Sequence, residues 1–229
     1  MNIIVKNIWA PTLVIVILLL AVIIIKNPNM FHQEILAAPV ETIDLEEPLS
    51  TINVNLIEAL KLRKSTKDFT KDPIPPKELS TILWAANGIN RKDGKRTAPS
   101  AYGKYFIDIY VAADQGVYQY EPVKHQLKLV TGKNIKSKVA GQKFVADASH
   151  VLLITANIKE FPFFVNNEDR IACANATAGC IGENVYLITN ALNLGACFMS
   201  SIDKKFIQES LNLKENQLPL FIMPIGYPK

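Results

Sequence analysis

The sequence contains few of the residues that form covalent cross-links and metal sites. Its 229 residues include only three cysteines and three histidines. Three cysteines cannot all pair, and Cys173 and Cys180 stand seven residues apart in a helical pattern, which separates their backbones by about 10 Å. Neither forms a metal-ligand spacing with Cys197. We therefore predict no disulfide and no metal site, and three thiols that pack as small buried side chains.

The sequence also has little excess charge of either sign. Lys and Arg number 25 against 21 Asp and Glu, and the two signs are interspersed along the chain. This distribution lacks the concentrated basic patch of a nucleic-acid-binding protein, so no nucleic-acid partner is expected. His150 has no second ligand nearby and is interpreted as a histidine packed at the end of a strand. The chain is long enough for one domain with a sizeable core and an appendage.

One long apolar run lies near the N-terminus. Residues 8–25 carry no charge, are bounded by Lys6 and Lys26, and are just long enough to cross a bilayer. The alternatives are a cleaved signal peptide and a retained anchor. The run exceeds a typical signal core, and the small residues Ala37 and Ala38 lie some ten residues past its end, so we favour the anchor.

This run sets the expected organisation and location. The positive charges before the run outweigh those after it only slightly, which favours an N-terminus inside and a domain outside the cytoplasm. The expectation is therefore a membrane-anchored protein with an extracytoplasmic domain. Its parts are an anchor over residues 1–26, a linker or extended arm over residues 27–51, and a folded domain over residues 52–229.

The rest of the chain mixes helical and strand patterns, which predicts an α+β fold. Residues 151–156 form a short continuous apolar run, typical of a strand buried on both faces. Pro75-Pro76 opens a helix that stops at Gly88, and Gly195 is expected to close a long helix. Helices are predicted over residues 55–62, 76–87, 169–194 and 203–211, and strands over residues 105–113, 117–120, 127–130, 151–156, 196–199 and 218–225.

The long predicted helix has unusually small residues in its first half. Six of them are Ala172, Ala174, Ala176, Ala178, Gly179 and Gly182. Small side chains allow another backbone to approach closely. The pattern indicates a central helix packed against several neighbours, either within the chain or across a dimer.

The clearest functional motif follows the first predicted helix, at Arg63-Lys64-Ser65-Thr66-Lys67. Arg supplies a planar fork of donors for phosphate oxygens, Ser a hydroxyl donor and Lys a mobile positive charge. Such a run is common on solvated surfaces, and alone it is a weak signal. A second stretch, Arg-Thr-Ala-Pro-Ser-Ala-Tyr at residues 96–102, lies about thirty residues further on. It strengthens the functional interpretation of the first motif, because further motifs come after these two in a regular order along the chain.

In their order along the chain, these motifs resemble the nitroreductase-fold flavoenzymes and, within them, the SagB-type dehydrogenases. The resemblance covers residues 56–227. The fold it implies is nitroreductase-like, with a central, mostly antiparallel sheet flanked by helices. The further landmarks are Leu83-Trp84-Ala85-Ala86 with Gly88, Gly116-Val117-Tyr118 with Tyr120 and Pro122, His125 with Leu127, Glu183-Asn184-Val185-Tyr186-Leu187, Leu194-Gly195-Ala196, and Met223-Pro224 with Gly226-Tyr227-Pro228.

The resemblance implies an FMN held without a covalent bond at the interface of a homodimer. Arg63 and Ser65 would hold the FMN phosphate and ribityl chain, with Lys64 nearby. Lys67 would lie beside the N1–C2 edge of the flavin, where a fixed cation stabilises the negative charge of the reduced state. Pro99, Ser100 and Ala101 resemble the loop that the second subunit lays against the flavin. Gln142 matches a polar position near the ring, and Ser200 and Ser201 match positions at the ring face.

The expected function is hydride transfer through flavin N5 to or from a small organic substrate by a membrane-tethered enzyme, with NADH or NADPH as a candidate donor. The alternative is a tethered flavin-binding or scaffold protein without turnover. Lys67 favours the enzyme, because a storage protein has no need to stabilise reduced flavin.

Two positions depart from the pattern of the resemblance. Family members often carry a basic residue after the final Gly-Tyr-Pro that also contacts phosphate. Here this contact is either missing or made by Lys229. Azoline-oxidising members carry a Lys-Tyr pair before the long helix, which residues 161–167 lack. This second departure argues against heterocycle oxidation.

Overall fold

The segments with strand patterns form one antiparallel sheet. The computed structural model describes residues 40–229, and within them seven strands pair in the order β1-β4-β3-β2-β5-β7-β6. Every pairing between neighbouring strands is antiparallel. The strands are β1 (Thr42–Asp44), β2 (Ile107–Ala113), β3 (Gly116–Glu121), β4 (Gln126–Thr131), β5 (His150–Asn157), β6 (Gly195–Ala196) and β7 (Gln217–Gly226).

Five helices flank this sheet. They are α1 (Leu56–Leu62), α2 (Pro76–Asn87), α3 (Lys143–Asp147), α4 (Asn167–Ala191) and α5 (Lys204–Ser210), all within the described residues. The sequence signals at two termini are confirmed. Pro76 occupies the first turn of α2, and the Asp203 carboxylate accepts a hydrogen bond from the Phe206 N–H at the start of α5.

Strand β5 lies at the centre of the core. It pairs with β2 on one side and β7 on the other, and its residues 151–156 are all buried, as predicted from their continuous apolar run. Successive side chains of a strand point to opposite faces. Leu152 and Ile154 belong to the core under α2 and α4, whereas Val151 and Leu153 belong to the core under α3 and α5.

The long helix ends earlier than predicted. Helix α4 stops at Ala191 instead of residue 194, and Asn193 adopts the left-handed conformation with φ 60°. Asn tolerates this conformation better than most residues, so it takes the role predicted for glycine. Gly195 instead belongs to β6, where a Cβ would lie 2.5 Å from the Cβ of Thr66.

Part of the segment predicted as a linker belongs to the sheet. Residues Thr42–Asp44 form β1, an edge strand that pairs with β4. Further along, the Leu49 N–H donates to Thr81 Oγ1 in α2, at 2.9 Å. These contacts tie residues 42–49 to the folded domain.

The prediction of a membrane-anchored, extracytoplasmic protein is contradicted by the helices in the described part of the chain. Within residues 40–229, no helix combines the length and apolarity needed to cross a bilayer. The apolar run on which the prediction was based, together with the proposed anchor over residues 1–26, lies outside the described residues.

We expect Gly195→Ala to destabilise the protein because the added Cβ has no space beside the buried Thr66. Overpacking of this kind costs about 1–3 kcal/mol in the free energy of unfolding. The matched control is Gly141→Ala, since a Cβ at Gly141 has no heavy atom within 4 Å. Urea unfolding of both variants provides the measurement, and equal midpoints would contradict the packing argument.

Candidate active site

The Arg63–Lys67 motif is held against the edge of the sheet. Ser65 forms an isolated parallel bridge with Ala196, and the Thr66 N–H donates to the Ala196 carbonyl at 2.8 Å. Thr66 is buried, whereas Ser65 and Lys67 on either side of it are exposed. The period-two alternation of extended chain therefore places Ser65 and Lys67 on one side, which explains their spacing in the motif.

Tyr186 of α4 connects Arg63 and Ser65. Its hydroxyl lies 2.8 Å from Ser65 Oγ and accepts the Phe198 N–H, also at 2.8 Å. The Arg63 guanidinium carbon lies 5.2 Å from the centroid of the Tyr186 ring, a cation–π contact. Tyr186 belongs to the Glu183–Leu187 landmark of the family resemblance, which implies no role for it at the site.

A cavity of about 290 Å³ adjoins this motif. It brings together four residues predicted from the sequence: Lys67, Gln142, Ser200 and Ser201. Gln142 Nε2 donates to Ser201 Oγ at 3.4 Å, whereas Gln142 Oε1 is buried and has no hydrogen-bond partner in the described part of the chain. One residue of the cavity lining therefore has a buried amide oxygen without a partner among residues 40–229. The rest of its lining is Phe144, Cys197, Phe198 and Met199.

Only one of the three cysteines is fully buried. Cys197 lines the cavity, and burial raises the pKa of its thiol, an effect opposed by the charge of Lys67 and by the hydroxyls of Ser65 and Tyr186. Cys173 is half-buried and Cys180 is exposed, so the prediction of three buried thiols was wrong for these two. Cys180 lies on the outer side of α4, which the helical pattern alone could not distinguish from its inner side.

The loop predicted to come from a second subunit lies apart from this cavity in the single chain. Pro99, Ser100 and Ala101 are absent from its lining. The Ser100 hydroxyl donates to the Lys104 carbonyl, and Ala101 begins a short 3-10 turn. Lys64 is exposed and also lies outside the lining.

Lys229 lies beside the motif. Pro228 and Phe69 form an antiparallel bridge, and Lys229 Nζ lies 3.0 Å from Asp68 Oδ1. Lys229, the basic residue after Gly-Tyr-Pro, therefore has its charge paired with the carboxylate of Asp68, the residue that follows Lys67.

A second cavity, of about 470 Å³, is lined by the buried Lys136 and its exposed partner Asp114, a pair that has no signal in the sequence. Lys136 is 4% exposed, and its Nζ donates to Asp114 Oδ1 at 2.8 Å and to the Ala148 carbonyl at 2.9 Å. His150 lines the same cavity, with Nδ1 3.0 Å from Ser149 Oγ. Burial, reinforced by Lys136 and opposed by Asp114, lowers the pKa of His150 from 6.5 to about 4.

Comparison with known proteins identifies the class to which this fold and cavity belong. Residues 60–227 match the family described as the Nitroreductase family. A protein of Methanocaldococcus jannaschii, described provisionally as a nitroreductase, is 32% identical over 193 residues, which cover 80% of this chain and 93% of that protein. The chain belongs to the nitroreductase family, whose members are flavin-dependent oxidoreductases.

Solved structures confirm the nitroreductase-like fold. A Ralstonia eutropha protein, also described provisionally as a nitroreductase, has 37% identity and a TM-score of 0.80, over 84% of this chain and 92% of that one. A Vibrio harveyi structure described as an NADPH:FMN oxidoreductase complexed with NAD⁺ has 19% identity and a TM-score of 0.58, over 76% of this chain and 68% of that one. At 19% identity the likeness concerns the fold alone.

The low pKa of His150 makes stability dependent on pH. The unfolded chain takes up a proton near pH 6.5 and the folded chain only near pH 4, so the unfolded state binds more protons between these values. The free energy of unfolding therefore falls as the pH drops through this window. Relative to His150→Gln, we expect the wild type to lose about 2–3 kcal/mol more between pH 7.5 and 4.5 in urea unfolding. Parallel pH profiles would contradict this.

Proposed function

We propose that this protein is an FMN-dependent oxidoreductase that transfers hydride to or from a small organic substrate, and that it belongs to the SagB-type branch. The observation that carries the proposal is the meeting of the Arg63–Lys67 motif with a cavity whose lining includes Gln142, a residue with an unpaired amide oxygen in the described part of the chain. When bound, FMN would supply the redox chemistry by accepting or donating hydride at N5.

The residues of the cavity and the neighbouring Arg63 and Ser65, which lie outside its lining, fit this cofactor. Arg63 and Ser65 would offer a guanidinium and a hydroxyl to the phosphate and ribityl chain. Lys229, which is paired with Asp68, would contact the phosphate only if it left that carboxylate. A buried amide oxygen without a partner is costly, and a ring N–H of the flavin would satisfy Gln142 Oε1. Ser200 and Ser201 would line the ring face from the same cavity.

Lys67 would act on the redox state of the cofactor. It is the cation that lines the cavity directly, among the residues that the structure describes. A fixed positive charge near the flavin would stabilise the negative charge of the reduced form. Lys67 is therefore the residue for which we propose a catalytic role.

A homodimer would complete the site. Helix α1 exposes large apolar side chains, among them Leu56 at 64% and Ile57 at 62%, and α4 exposes the small residues Ala172, Ala176 and Gly179. These surfaces are suited to contact with a second copy. We propose that the partner's 99–101 loop would then complete the flavin site, with NADH or NADPH as electron donor.

The substrate is proposed to be small and not an azoline heterocycle. The segment before α4 carries no Lys-Tyr pair, and its Phe163 and Phe164 are 94% and 68% exposed. Both rings contact other aromatic rings: Phe164 lies 5.7 Å from Phe163 and 6.0 Å from Tyr102, between centroids. This segment would form a short apolar edge to the substrate site.

Replacement of Arg63 by Ala tests the phosphate assignment. The loss of a charge-assisted hydrogen bond costs about 1.5–3 kcal/mol, so the Kd for FMN should rise about ten- to a hundredfold. Lys61→Ala removes an exposed positive charge from the same helix and is the matched control, with little change expected. Fluorescence titration with FMN provides the measurement, and an unchanged Kd for Arg63→Ala would place the phosphate elsewhere.

The dimer is tested by the mass of the FMN-loaded protein in solution. Because each flavin site would draw on both chains, the loaded protein should sediment as a dimer at micromolar concentration. A stable FMN-loaded monomer would show that one chain suffices and that the 99–101 loop has another role.

Lys67→Met tests turnover against simple binding. Met keeps most of the aliphatic stem and removes the charge, so FMN affinity should change less than the two-electron midpoint potential. That potential should fall by about 30 mV for each 1.4 kcal/mol of lost stabilisation of the reduced state. Spectroelectrochemical titration of both proteins provides the measurement. Equal potentials would place Lys67 away from the ring and favour a flavin-binding protein without turnover.

A further inference from the structure

One of the two hydrogen bonds of the Tyr186 hydroxyl has a defined direction. The backbone N–H of Phe198 can only donate, so the Tyr186 oxygen accepts this bond, at 2.8 Å. The second contact, to Ser65 Oγ at 2.8 Å, can in principle run in either direction. The direction decides whether the Ser65 hydroxyl proton is already used or remains available.

Burial selects one direction. Tyr186 is 8% exposed, whereas Ser65 is exposed. If Ser65 donated, the buried Tyr186 proton would have only the thiol of Cys197 nearby, a weak acceptor, and would lose its hydration without a good replacement. If Tyr186 donates, both of its bonds are strong, and the exposed Ser65 keeps its own proton for another partner.

The Tyr186 ring provides a second contact. The Arg63 guanidinium lies over it at 5.2 Å from the centroid, although Arg63 itself is exposed. A cation held over an aromatic face loses part of its rotational freedom before any ligand arrives, and a restrained guanidinium is better placed to bind phosphate. Tyr186 thus contacts two groups of the motif through two different parts of its side chain.

We infer that Tyr186 is a positioning residue for an anionic ligand group: its hydroxyl leaves the Ser65 proton free to donate, and its ring holds the Arg63 guanidinium. The group is the phosphate of a flavin mononucleotide, and to that extent the inference rests on the proposed function. Tyr186 itself does not touch the phosphate. Its effect on the ligand passes through Ser65 and Arg63.

A double-mutant cycle tests the hydroxyl. Tyr186→Phe keeps the ring under Arg63 and removes only the oxygen, so FMN affinity should fall about three- to tenfold. Ser65→Ala should have an effect of similar size, and the double variant should bind FMN no more weakly than Ser65→Ala alone. Additive effects would overturn the inference, because they would mean that Tyr186 acts independently of Ser65.

Riboflavin separates positioning from general support of the fold. It has the ring and the ribityl chain of FMN without the phosphate, so its Kd should rise less than that of FMN in Tyr186→Phe, because only a contact of Ser65 with the ribityl chain would remain. Equal losses for riboflavin and FMN would overturn the inference, since a merely structural role would weaken both. Wild type that binds no FMN would overturn the proposed function as well, whereas equal FMN affinity of wild type and Tyr186→Phe would overturn the positioning role alone.

The stability of the cofactor-free protein tests whether the Ser65 hydroxyl is a partner of the Tyr186 hydroxyl, without any change to Tyr186. If Tyr186 donates, Ser65→Ala leaves a buried hydroxyl proton unpaired and should lower the urea midpoint, although Ser65 is exposed. Ser137→Ala, at another exposed serine, is the matched control and should leave the midpoint unchanged. Equal midpoints for the two variants would overturn the inference, because the bond between Ser65 and Tyr186 on which it depends would then be absent.

Discussion

The candidate site depends on one short backbone contact, the hydrogen bond from the Thr66 N–H to the Ala196 carbonyl. It attaches the residues that follow α1 to β6, which is itself paired with β7 in the sheet. The contact requires Gly195, because any Cβ there would overlap Thr66. This attachment sets the positions of Ser65 and Lys67. It also brings Lys67 to residues 197–201, which line the same cavity.

Helix α4 connects the hydrophobic core to the Arg63–Lys67 motif. Its inner residues, including Ala178, Ile181 and Val185, pack in the larger core, and Tyr186 extends that buried face to the site. Gly182 allows the helix to lie close to the ring of Phe198, whose N–H bonds to Tyr186. The geometry around the motif is therefore supported by core packing on one side and by the sheet on the other.

The sequence predicted most elements because their signals are local. The apolar run at residues 151–156, the Pro76 start and the Asp203 cap each depend on neighbours in the chain, and the structure has all three. The link between Ser65 and Tyr186 joins residues 121 positions apart and has no local signal. The same holds for the exposure of Cys180 and for the pairing of Thr42–Asp44 with β4, both of which depend on tertiary packing.

The lengths of the strands bear on how copies of this protein can associate. The described sheet ends in three-residue β1 on one side and two-residue β6 on the other, while the longer strands lie between them. Short edge strands offer few free N–H and C=O groups to a neighbouring chain, a common protection against uncontrolled strand pairing and fibre growth. We therefore expect any self-association to use the exposed faces of the helices and not the rims of the sheet.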